Sequence, residues 1–92
     1  MPTPIAIKEK DPDAVKDYTL DWSDWLDGDT IATSVWVVPA GITEDSESES
    51  ATSATIWLSG GTAPNEYEIT NRITTAGGRS DDRTILICVV EK

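Results

Sequence analysis

The sequence contains no histidine, no phenylalanine and a single cysteine, and it carries 7 basic residues against 17 acidic ones. Without histidine the chain lacks the commonest general base near neutral pH and the commonest transition-metal ligand. A lone Cys88 closes no internal disulfide, which excludes a stapled secreted scaffold. It stands beside Ile87, Val89 and Val90, where a thiol behaves as a small hydrophobe and its pKa is raised, away from nucleophilic use. No run approaches the roughly 18 apolar residues of a membrane span, and no signal-peptide pattern opens the chain. The shortage of cations leaves a formal net charge of −10. Duplex nucleic acid and anionic membrane both repel such a surface, so neither is an expected partner.

What is present is a pattern of short strands. At 92 residues the chain has room for one domain with one modest core. The clearest signal is a closing hairpin, Tyr67 to Val90. Its first arm sets Tyr67, Ile69, Asn71 and Ile73 on one face against Glu68, Thr70, Arg72 and Thr74 on the other. A turn at Ala76–Asp82 follows, with Gly77 and Gly78 in it. The second arm, Thr84 to Val90, is apolar on both faces, which predicts that both are covered. Upstream, Asp17–Trp22 alternates as a strand, with Tyr18, Leu20 and Trp22 facing one way. Ser23 is placed to N-cap one helical turn that Gly28 ends. Thr30–Val38 is largely apolar in both rows towards its end and is expected to be a central strand. Glu44–Ser53, with four carboxylates and no aromatic, reads as a solvated mobile loop. Ala54, Ile56 and Leu58 alternate with Thr55, Trp57 and Ser59 in a further strand, and Gly60–Asn65 is a turn. Six or seven strands separated by glycine and proline predict an all-β, immunoglobulin-like antiparallel sandwich over residues 10–92. Residues 1–9 are expected to form an arm or an edge strand.

Catalytic and metal chemistry is sparse. Asp24, Asp27 and Asp29 crowd around Gly28, where a hard cation such as calcium is worth considering. The spacing lacks the glutamate that closes a 12-residue calcium loop, and aspartates beside glycine are explained by turn capping. Gly60-Gly61 and Gly77-Gly78 stand outside any strand-to-helix phosphate-loop pattern. Neither a catalytic residue nor a cofactor is therefore expected. Of the tryptophans, Trp36 is the expected core residue, whereas Trp57 opposes the core pair Ile56 and Leu58 and so points outward. An outward tryptophan is a recurrent interface anchor. Trp57 is accordingly a candidate partner contact, together with Arg72, Arg79 and Arg83. These are the only arginines, and they pair with acidic neighbours of the same chain or with an adjacent subunit.

Several phrases together resemble small structural proteins of tailed bacteriophages. They are Lys10-Asp11-Pro12-Asp13-Ala14-Val15, Tyr18-Thr19-Leu20-Asp21-Trp22, Trp25-Leu26-Asp27-Gly28-Asp29-Thr30-Ile31, Val35-Trp36-Val37-Val38-Pro39-Ala40-Gly41, Trp57-Leu58-Ser59-Gly60-Gly61-Thr62, and Tyr67 through Arg79 with Asp82-Arg83. The resemblance covers residues 10–90. It implies an immunoglobulin-like virion module of the head or head–tail region, without enzymatic activity, made in the bacterial host cytoplasm. Capsid or connector proteins are its implied partners, with copies of itself as a further candidate. Two other readings compete: an adhesion or carbohydrate-binding module using exposed tryptophan, and an acidic decoy of a basic protein. Decoration, connector and tail positions all stay open at this level.

Overall fold

The computed structural model describes residues 4–91. In chain order the elements are β1 (Ala6–Lys10), β2 (Lys16–Asp21), α1 (Ser23–Leu26), β3 (Ile31–Val37), β4 (Ile42–Glu49), β5 (Ser53–Gly60), β6 (Glu66–Thr75) and β7 (Ser80–Val89). They build two sheets, one ordered β1-β7-β6-β3 and the other β2-β5-β4. The alternations in the sequence become the two inner faces. Tyr18 and Leu20 of β2, Ile56 and Leu58 of β5, Ile69 and Ile73 of β6, and Ile85, Ile87 and Val89 of β7 pack into one buried cluster. This is an immunoglobulin-like β-sandwich, as the strand pattern predicts.

Several sequence expectations need correction. β1 pairs with β7 in parallel, Ala6 opposite Ile85 through Lys10 opposite Val89, so the sandwich is not wholly antiparallel. The turn after Lys10 carries the chain across to the other sheet, leaving β1 beside the last strand rather than beside β2. Of the expected arm, residues 1–3 lie outside the described residues. β3 is an edge strand, not a central one. Its two apolar rows are split: Trp36 turns into the core, while Val35 and Val37 stay on the outer face.

Glu44–Ser53 is not a loop. Most of it is β4, an edge strand whose hydroxyls and carboxylates are tolerated because solvent reaches them. The hairpin that follows is closed by Ser50, whose Oγ accepts the backbone N–H of Ser53 at 3.0 Å and of Thr52 at 3.3 Å. Helix α1 lacks the expected Ser23 cap, because Trp22 occupies the N-cap position. Asp21 does the capping instead, its Oδ1 accepting the Ser23 N–H at 2.9 Å. Asp27, at φ 49°, takes the left-handed turn that ends α1, one residue before Gly28.

Trp22, fully buried, sits deeper than Trp36 at 6% exposure. Its indole N–H donates to Asn71 Oδ1 at 3.0 Å, and Asn71 Nδ2 donates in turn to Ser34 Oγ and to the Val35 carbonyl. That chain of bonds ties the start of α1 and β3 to β6 through a buried amide. At the other end of the molecule Lys10 is buried, its Nζ donating to the carbonyls of Asp11 at 2.9 Å and Gly60 at 2.8 Å. Burial lowers its pKa, opposed by the nearby Asp11, Asp13 and Asp45. Gly61 is required beside this point: its φ is +91°, and a Cβ there would lie 2.7 Å from Val89.

Candidate interaction site

The four residues singled out as partner contacts fall in three places. Trp57, 41% exposed, stands on the outer face of the three-stranded sheet, between Asp17 of β2 and Ser46 of β4 in register. Thr19 and Thr55 bond to one another on the same face at 2.8 Å. Arg72 is on the outer face of the other sheet, held to Asp82 by two hydrogen bonds of 2.9 and 3.0 Å. Asp82 is held below the usual carboxylate range by that guanidinium.

Arg79 and Arg83 belong to neither face. They close the end of the sandwich where α1 lies. Trp22 and Trp25 meet there edge to face, with centroids 5.4 Å apart. Arg83 covers the Trp22 ring at 4.1 Å and donates to the Asp21 carbonyl. Arg79 covers Trp25 at 4.5 Å and donates to the carbonyls of Trp25 and Leu26 and to Asp29 Oδ2. Asp29 also accepts the Gly77 N–H at 3.1 Å, and any Cβ at Gly77 would lie 2.7 Å from that carboxylate. The aspartate is held below its ordinary range, first by a hydrogen bond from Thr75, with the amides of Thr30 and Gly77 and the Arg79 side chain adding to it. Here the aspartates flanking Gly28 do turn and clamp work, and among the described residues no cluster of ligands could hold a metal ion.

The sequence reading missed the rest of the outer face of the four-stranded sheet. Ile5, Ile7, Val35 and Val37 are each half or more exposed, and all four point outward from this sheet. Next to Val37 the face dips into a shallow depression between Pro39 and Ala40 on one side and Glu66, Glu68 and Thr70 of β6 on the other. The outer row of β7, Thr84, Leu86 and Cys88, crosses the same face. The double-sided apolar pattern of this strand is the available signal; on this face Thr84 is buried, whereas Leu86 and Cys88 stay partly exposed.

A family model described as podophage GP4 fiber-tail adaptor protein gp77 matches residues 10–88. The chain belongs to this gp77 adaptor family. That membership makes it a structural component of a phage virion. Among curated proteins none matches the sequence. A solved structure that resembles the gp77 member described here is the solution structure of the PKD domain from KIAA 1837 protein, with a TM-score of 0.59 at 23% identity. The match covers 98% of this chain and 83% of that one and shows a shared fold.

Proposed function

We propose that the chain is a non-enzymatic binding module that joins a tail fibre to the tail of a podophage virion. The observation that carries this reading is the adaptor-family match, which runs over residues 10–88. Of the positions left open by the sequence, tail attachment is favoured over head decoration or a connector accessory. A sandwich suits such work because each sheet keeps an outer face free while the core sits between them. In this reading residues 10–92 are the module, and residues 6–9 of the preceding arm complete the edge of the four-stranded sheet. Trp57 and Arg72 are the contact residues on the two opposite faces, while Arg79 and Arg83 shape the end between them. The partners are other virion proteins, and the chain is made in the host cytoplasm before assembly.

The test is a phage in which the gene is deleted and a tagged chain is supplied from the host. Tagged chain is expected at the fibre attachment points by immunogold microscopy, and deletion particles should have filled heads but no fibres. Label spread over the capsid shell would point to decoration, and label at the head–tail junction to a connector accessory; either overturns the fibre assignment.

A further inference from the structure

Of the large hydrophobic side chains that stay exposed, four lie on one face. Val35 and Val37 project from β3 at one edge of the four-stranded sheet, and Ile7 from β1, with Ile5 just before it, at the other. Leu86 of β7 extends the Ile7 end of this face, opposite Ile7 in register. Four of the polar groups between are already satisfied by one another. Thr70 and Thr84 share a hydrogen bond of 2.8 Å, and Arg72 and Asp82 form a two-point ion pair. Groups satisfied in this way can be covered without stranding a donor or acceptor. The other outer face differs, with one tryptophan among hydroxyls and carboxylates.

We propose that this face of the four-stranded sheet is the docking surface for a different virion protein, one presenting apolar side chains flanked by lysine or arginine. The inference rests on the adaptor reading and adds to it which surface is used and what chemistry meets it. Ile5, Ile7 and Leu86 at one edge and Val35 and Val37 at the other flank the polar outer row of β6, and exposed apolar groups gathered on one face mark interaction sites in soluble proteins. The charge chooses the occupant. Glu66 and Glu68 line the depression beside Val37, and the whole chain carries a net charge of −10. A second copy would bring the same acids and the same net charge against this face, whereas a basic rim complements them.

The experiment places a photo-cross-linking amino acid at Ile7, at Val37 or, as a control, at Asp13, in chains supplied to the deletion phage, and cross-links purified particles. Positions 7 and 37 are expected to join one and the same other virion protein, at a peptide with lysine or arginine close by, and position 13 is not. In parallel, the double variant Ile7→Glu/Val37→Glu should lower incorporation about tenfold or more, the effect of losing roughly 1.4 kcal/mol of contact. Its melting temperature should stay unchanged because both side chains are largely exposed. Cross-links to a second copy of the chain overturn the proposal, as does a chain present in particles but uncross-linked from both positions. If the double variant fails to fold, the cross-linking result decides alone. If the chain is absent from particles altogether, the adaptor reading itself falls, and this inference with it.

Discussion

Trp22 and Trp36 are both buried, yet their indole nitrogens meet different surroundings. The Trp22 N–H reaches Asn71, whereas the Trp36 N–H has no hydrogen-bond partner among the described residues. Trading either ring for phenylalanine removes similar volume, so the difference between the two variants reports the Asn71 hydrogen bond together with the contacts of the Trp22 ring to Arg83 and Trp25. Trp22→Phe strands a buried amide oxygen, and it should cost about 1–3 kcal/mol more than Trp36→Phe in urea unfolding. Equal losses would mean that the Asn71 bond and these ring contacts add nothing between them. Asp29 makes a second prediction at this scale. Its pKa is lower folded than unfolded, so its stabilisation is fully present above the ordinary carboxylate range. That contribution is lost as pH falls through the depressed native value. Asp29→Asn should therefore be less stable than the wild type at neutral pH, with the gap closing in acid, as followed by thermal melts across pH. The sequence showed aspartates beside a glycine but not this role, since Gly77, Thr75 and Arg79 are brought to Asp29 by the fold.

Strand β4 shows why the element level was only partly legible. Strands β2, β5 and β6 announce themselves by apolar residues at every second position, because one face of each enters the core. β4 has almost no apolar residue after Ile42, and its Ser/Glu alternation looks like disorder. As an edge strand it needs backbone partners on one side only, and β5 supplies them from Ile42 to Glu49. A bulge between Glu44 and Ser46 shifts the register, so Glu44 and Glu47 come to the same face, opposite Leu58 and Ile56. There Glu47 is pushed up from its ordinary 4.5 to about 7, first by the hydrogen bond it shares with Glu44, then by desolvation and by Glu44's charge. The folded state thus holds this proton more tightly than the unfolded chain, and the associated stability is lost as pH rises through that interval. Glu47→Gln should flatten this loss in chemical unfolding between pH 5 and about pH 8; an unchanged slope would refute the coupling. Carboxylates turned inward on an edge strand also deter another strand from pairing with it. Replacing Glu44, Glu47 and Glu49 by threonine should make the isolated protein self-associate with concentration, as read by light scattering. β3 was misplaced for the opposite reason: Val35 and Val37 look like core residues, and only their neighbours in the sheet reveal that they face outward.

On the scale of the whole molecule, the chain's acidity and its guarded edges lead to one expectation. Alone in solution it should scatter light as a single species of 10.0 kDa, with or without millimolar calcium. A trimer or larger ring would instead make the apolar face a symmetric contact between copies. The two-layer architecture was readable from strand spacing because inner faces are encoded locally, two residues at a time. The interaction face was not. Its members come from the first strand, the third and the last, and no local window holds more than two of the isoleucines and valines that meet there.

The parallel pairing of β1 with β7 has a consequence for how the protein is made. The chain leaves the ribosome N-terminus first, so among the described strands β1 emerges first and its partner β7 last. Until Ser80–Val89 has been synthesised, Ile7 and the rest of β1 have no strand to pair with. β1 therefore stays without its sheet partner while β2 to β6 are made, the strand pairing of longest sequence separation among the described residues. Attachment of β1 then waits on β7, and two isoleucines of the docking face take their places only once Ser80–Val89 has been made.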